Sequence, residues 1–180
     1  MSVFVDLILF LLVVVTFLLF ITLVPHLFIR VPYVPTPMGV VDEMIRLADL
    51  KGNETVFDLG AGDGRFLSAV LKKYPHVHAI GCEAVPVVWM LGILRKWWMH
   101  TPYTLHLSGL MKEDVRSANA VFLYLIPEVM AKLKVKFDRE LKPGTVVISS
   151  TFRFPGKKEE SAHKAPGFFG QPVSFFVYRW

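Results

Sequence analysis

The 180-residue chain carries 20 Lys and Arg against 15 Asp and Glu, a net charge of +5, with 53% hydrophobic residues and one cysteine. One cysteine excludes a disulfide scaffold, the length suits one α/β unit without a separate substrate domain, and basic charges dispersed among acids argue against a nucleic-acid-binding face. Every Lys and Arg lies at or after Arg30, so an apolar leader precedes a basic body suited to an anionic membrane surface.

Residues 7–24 contain no charge, and together with residues 3–5 the apolar span reaches roughly 33 Å as a helix at about 1.5 Å per residue, the depth of a bilayer core. A cleavable signal peptide would want a positive start, a shorter apolar run and a small-residue cleavage site, and the leader has none of these. Residues 1–29 are expected to form an uncleaved transmembrane anchor. Asp6 at its outer end and Arg30 at its inner end place the body, residues 30–180, on the cytoplasmic side. Pro25, Pro32, Pro35 and Pro37 are expected to end the helix and hold a short, stiff linker extended. Such a tether confines the body to the membrane surface and raises its effective concentration toward membrane-embedded targets.

In the body, residues 39–50 show the 3.6-residue spacing of an amphipathic helix. Strands are expected at 55–59, 77–82, 104–107, 120–126 and 145–151, with helices at 66–73, 87–98 and 128–141 between them. Lys142-Pro143-Gly144 is the turn before the fifth strand. Residues 156–172 mix charges, glycines and prolines and are expected to be a loop, followed by a terminal strand at 173–178 on the sheet edge. Strands alternating with helices predict an α/β, Rossmann-like, largely parallel sheet with helices on both faces.

The first strand runs into Asp58-Leu59-Gly60-Ala61-Gly62-Asp63-Gly64-Arg65. Glycines permit a tight strand-to-helix turn and close approach of a ligand to the backbone. A dinucleotide fingerprint spaces its glycines G-x-G-x-x-G, whereas this chain has D-x-G-x-G-x-G, the pattern of an S-adenosylmethionine site. Glu83 ends the second strand, where a carboxylate can accept bonds from both ribose hydroxyls. Asp58, Gly60, Gly62, Asp63 and Glu83 are the cofactor-binding candidates; a tight turn without a ligand is the plain alternative. Asp63 and Arg65 can also pair locally and shape the loop. Cys82, inside the second strand, is expected in the core. The six histidines have no metal-ligand spacing, so no metal site is expected. Arg95-Lys96-Trp97-Trp98-Met99-His100 combines basic and indole groups, which suits a lipid headgroup boundary, a helix end packed on the core or, less well, base stacking.

Taken in order, Tyr33-Val34-Pro35-Thr36-Pro37, the glycine motif, Tyr124-Leu125-Ile126-Pro127 and Phe152-Arg153-Phe154-Pro155 resemble the membrane-anchored seven-β-strand lysine methyltransferases. That family includes the mitochondrial enzymes acting on the ATP synthase c-subunit and the adenine nucleotide translocase, with prokaryotic relatives. The resemblance covers roughly residues 5–155. It implies S-adenosylmethionine as methyl donor and a lysine of a membrane protein as acceptor, in a bacterial or archaeal cell membrane or, in a eukaryote, the mitochondrial inner membrane. Tyr124 and Pro127, at the end of the fourth strand and the carboxyl edge of the sheet, are the candidate catalytic residues, and Tyr33 and Thr36 are expected to close the cofactor pocket from the linker. One departure stands out: in His106-Leu107-Ser108-Gly109-Leu110, Gly109 occupies the place of an acid that contacts adenine in such enzymes. Two other readings stay open, methylation of a lipid or quinone and a donor-binding module without catalysis.

Overall fold

The structure, a computed structural model, describes residues 2–28, 34–167 and 170–180. It begins with α1 (Ser2–Phe28), of which Val3–Ile21 is long and apolar enough to cross a membrane and is not buried against the body. Within this span Thr16 Oγ1 donates back to the carbonyl of Leu12 at 2.8 Å, so the hydroxyl needs no water. The expectation that Pro25 ends this helix is corrected, because α1 runs on to Phe28. Within a last turn, a proline removes one backbone hydrogen bond and leaves the rest intact.

The body follows as α2 (Met38–Leu47), β1 (Thr55–Leu59), α3 (Arg65–Lys73), β2 (His78–Glu83), α4 (Pro86–Trp98), β3 (Thr104–Leu107), β4 (Ala120–Leu123), α5 (Pro127–Glu140), β5 (Val146–Ser150), β6 (Ser161–Pro166) and β7 (Pro172–Arg179). The seven strands form one sheet in the order β3-β2-β1-β4-β5-β7-β6. β1 to β5 pair in parallel, and β7 pairs antiparallel with β5 and β6. Alternation of side chains along each strand feeds two cores. In β4, Ala120 and Phe122 join the core beneath α2 and α3, while Val121 and Leu123 join the one beneath α5. Helices therefore cover both faces, as the sequence predicts.

Two expectations are corrected at the C-terminal end. Residues 161–166, inside the expected loop, form β6, and β7 lies between β5 and β6 rather than at the edge. Ser-Ala-His-Lys-Ala-Pro has little apolar content because an edge strand pairs on one side only and is commonly blunted by lysine and proline. The Phe152–Pro155 segment contributes Phe154 to an aromatic cluster with Phe137, Tyr178 and Trp180, and the Tyr178 hydroxyl accepts the Phe154 N–H at 3.1 Å.

The chain reverses its direction across the sheet between β1 and β4. Ligands of open α/β sheets bind beyond the carboxyl ends of the strands at such a switch point.

Candidate active site

A cleft of about 880 Å³, counting space open to solvent, lies at that switch point. Its floor is the turn from β1 into α3, where Gly60, Gly62 and Gly64 take φ of 88°, 57° and 71°. These are left-handed conformations that glycine adopts without the cost a Cβ would impose. Gly64 is doubly constrained, since a Cβ there would stand 2.5 Å from the Tyr103 hydroxyl. The amides of Gly60 and Ala61 both donate to the Cys82 carbonyl, at 3.0 and 2.8 Å, and this clamps the loop beside the end of β2. Cys82 is buried, and burial pushes its thiol up to about 12, as befits a core residue.

The clamp sets Glu83 against the loop. Its Oε2 accepts the Gly62 N–H at 3.1 Å and its Oε1 accepts the Val85 N–H at 2.8 Å. Asp58, at the end of β1, contrasts with it. It has no hydrogen-bond partner among the described residues, and burial, then the negative charges of Glu83 and Asp63, push its carboxyl from 3.8 up to about 7. An acid whose oxygens open onto the cleft beside glycine amides fits a ligand that brings its own positive charge and donors.

Asp63 also borders the cleft, but its carboxylate is committed elsewhere. It pairs with Arg65 at 2.8 Å and with Arg95 of α4 at 2.6 Å. Burial alone would raise its pKa, and the two guanidinium groups outweigh that and hold it below the ordinary carboxylate value. Arg65 reaches on to the Thr36 carbonyl at 3.0 Å, and Arg95 Nε donates to the Asp63 carbonyl at 3.0 Å. One acid thus joins the linker, the glycine loop and α4. The Asp63–Arg65 pair is legible in sequence; Arg95 is not, because it arrives from 32 residues away.

Thr36 and Tyr124 line the cleft together with Asp58, Gly60, Gly62, Asp63 and Glu83, so the structure brings seven of the nine candidate residues to one place. Pro127 opens α5 just outside the cleft wall. Tyr33 lies outside the described residues. Two wall residues that no sequence motif marks are Ser108 and Leu110, which flank Gly109. Ser108 Oγ donates to Glu113 Oε1, and His106 Nδ1 sits 2.9 Å from Glu113 Oε2, so a buried carboxylate fixes this wall. A Cβ on Gly109 would meet nothing within 4 Å.

Residues 58–161, from Asp58 of the glycine motif through the first residue of β6, match the family described as the ANTKMT methyltransferase domain. The chain belongs to this family. It is 34% identical over 135 residues to a protein-lysine N-methyltransferase of Saccharolobus islandicus, covering 74% of this chain and 81% of that one. It is 29% identical over 126 residues to the human lysine N-methyltransferase of the ATP synthase c-subunit, covering 69% of this chain and 53% of that one. The chain therefore spans about half the length of the human relative. Among solved structures, an RNA methyltransferase from Salinibacter ruber in complex with S-adenosyl-L-homocysteine superposes with a TM-score of 0.75 at 27% identity, over 81% of this chain and 93% of that one. This ANTKMT-type domain thus has the class I methyltransferase fold and is an S-adenosylmethionine-dependent methyltransferase.

Proposed function

We propose that this protein is a membrane-tethered S-adenosylmethionine-dependent methyltransferase that modifies a lysine of a membrane protein, with residues 1–29 as anchor and residues 30–180 as catalytic body facing the cytoplasm or its equivalent. The observation that carries this reading is the position of the linker. Val34, Pro35 and Thr36, which follow the apolar helix, are themselves part of the cleft wall. A bilayer around α1 therefore lies beside the mouth of the cleft, within reach of a short membrane-protein loop. The names of the two relatives, both lysine N-methyltransferases, support the acceptor.

The donor, when bound, supplies a methyl group on a sulfonium, already activated for in-line displacement by nitrogen. In this reading Glu83 receives the ribose hydroxyls, Asp58 balances the donor's positive charge, and the Gly60 and Gly62 backbone lets the chain approach it. Thr36 and Tyr33 close the cleft from the linker. Asp63 contributes by holding Arg65 and Arg95, which fix the loop. Tyr124 borders the path of the acceptor amine, and Pro127 fixes the start of α5 beyond it. The protein's chief tasks are alignment and exclusion of water. The amine must also arrive neutral, which costs about 4 to 5 kcal/mol at pH 7 for an ordinary lysine. The apolar walls of Leu110 and Leu125 favour the neutral form by withholding solvation.

The test mixes purified full-length protein and methyl-labelled donor with membranes from cells lacking the gene, followed by separation of protein from lipid. Label in a protein band, on lysine, and its disappearance with Gly62→Arg is the expected result. Label only in lipid would transfer the activity to a lipid or quinone acceptor. Label in neither fraction, with donor binding intact, would leave a donor-binding module.

A further inference from the structure

We infer that α4 is a second membrane-contacting element, which lies along the headgroup boundary of an anionic bilayer and turns the cleft mouth sideways along the membrane surface. This inference rests on the anchoring role proposed for α1. Its own basis is the face that α4 leaves uncovered. Met90, Leu91, Leu94, Trp97 and Trp98 recur at three- and four-residue spacing and so share one stripe of the helix, while Val88 and Gly92 on the opposite side are buried against the sheet. All five are exposed, Trp97 at 72% and Trp98 at 84%, even with α1 present. Five large apolar side chains on one helix face form a patch that water does not favour.

Three features point to lipid as what covers it. First, α1 makes contact with α4, so the helix proposed to cross the bilayer holds α4 close to the membrane. Second, the stripe ends in two adjacent indoles, the side chain enriched at the membrane–water interface because its ring is apolar and its N–H polar. Third, the body holds all of the chain's Lys and Arg, as contact with anionic headgroups requires, although Lys96 itself turns away from the stripe and lies over the Tyr103 ring. Arg95 is not counted here, because it is engaged with Asp63.

The geometry has a functional corollary. The helix α4 begins at Pro86, directly after the cleft residue Val85, and runs back antiparallel to the strands for about 20 Å at 1.5 Å per residue. A bilayer touching the whole stripe therefore lays the strands along its surface, with the cleft opening within the headgroup layer. Lysines at the ends of membrane-spanning segments then become reachable, while those projecting far into water do not.

The test uses the full chain, reconstituted in mixed phosphatidylcholine and phosphatidylglycerol vesicles. Cys82 is the chain's single cysteine and is buried, so an introduced surface thiol labels selectively. An environment-sensitive fluorophore is placed on Leu94→Cys, on Val14→Cys in α1, or on Lys132→Cys at an exposed position of α5. The expected result is a blue-shifted Leu94 label, quenched several-fold more by lipids brominated near the headgroup end of the acyl chain than by aqueous iodide, with the Lys132 label showing the reverse. Trp97→Glu with Trp98→Glu, both on the exposed stripe, should return the Leu94 label to water while donor binding confirms that the body is folded. An iodide-quenched Leu94 label beside a lipid-quenched Val14 label would overturn the docking of α4 and leave the anchor standing. A Val14 label untouched by brominated lipid would overturn both. A Leu94 label shielded from iodide and lipid alike, with energy transfer between labelled chains, would assign the stripe to a second copy and also overturn the inference.

Discussion

Glu83 Oε2 accepts the N–H of Gly62 at 3.1 Å, joining the end of β2 to the glycine loop 21 residues earlier. The same carboxylate takes the Val85 N–H at 2.8 Å, so the group proposed to receive the ribose also holds the walls on either side of it. Glu83→Ala is expected to weaken donor affinity at least about tenfold, roughly 1.4 kcal/mol, and to lower stability by about 1.5–3 kcal/mol through loss of hydrogen bonds to a charged acceptor. Calorimetric titration with S-adenosylhomocysteine and a urea melt measure the two separately. Unchanged donor affinity would remove Glu83 from the site.

Asp58 makes the unliganded protein sensitive to pH. Its carboxyl is raised from 3.8 to about 7, so between those values the folded state binds a proton that the unfolded state has released. Stability from this group is full below about pH 4 and is lost as pH rises through about 7. Asp58→Asn removes the dependence. Thermal melts of the two proteins between pH 5 and 8 should therefore diverge, the wild type losing ground to the variant as pH rises. Donor affinity should follow the opposite course, rising through pH 7 in the wild type because the ionised acid faces a cationic ligand, and staying flat in Asp58→Asn. Parallel melting curves would contradict the burial argument, and a pH-independent affinity in the wild type would contradict the role given to Asp58.

Asp63 behaves in the opposite sense. Arg65 and Arg95 hold its carboxyl below its ordinary value of 3.8, so its contribution is present above that pH and lost as pH falls through the depressed value. Arg95→Met removes the bonds to the Asp63 carboxylate and carbonyl and leaves the Arg65 pair in place. With a third of the Arg95 side chain in solvent, the expected cost is discounted to about 1–2 kcal/mol, read from the denaturant midpoint. Donor affinity should fall with it, because the loop loses its tie to α4. A stability loss with normal affinity would separate the network from the site.

What is legible in the sequence is local. The glycine loop, β1, α3 and Glu83 follow from residues within one βαβ unit, where spacing and backbone chemistry decide the structure. Sequence puts Asp63 on the donor side with Arg65 as a partner in reach, and it is silent on Arg95 because a contact between α4 and the loop leaves no periodic trace. The β6 strand is hidden for a related reason: Ser161–Pro166 owes its extension to pairing with β7 rather than to its own apolar pattern. Ser108 and Glu113 carry no signal because a wall built from a loop and a buried carboxylate has no motif. Pro25 misleads in the other direction, since a helix tolerates a proline near its end more readily than a rule of breakers suggests.

Gly109 offers the sharpest test of where the adenine end of the donor lies. Ser108 and Leu110 on either side line the cleft, a Cβ at Gly109 meets nothing within 4 Å, and its φ is not positive, so an aspartate fits there without backbone strain. Restoring the acid with Gly109→Asp should give the adenine amino group a charged acceptor and tighten donor binding by about three- to tenfold, at most roughly 1.4 kcal/mol. An N6-dimethyl analogue of the donor product, which has no hydrogen to give, should bind the variant and the wild type equally. Tightening for the natural compound alone locates adenine between Ser108 and Leu110. Equal or weaker binding of both compounds would place it elsewhere and make Gly109 a simple turn residue.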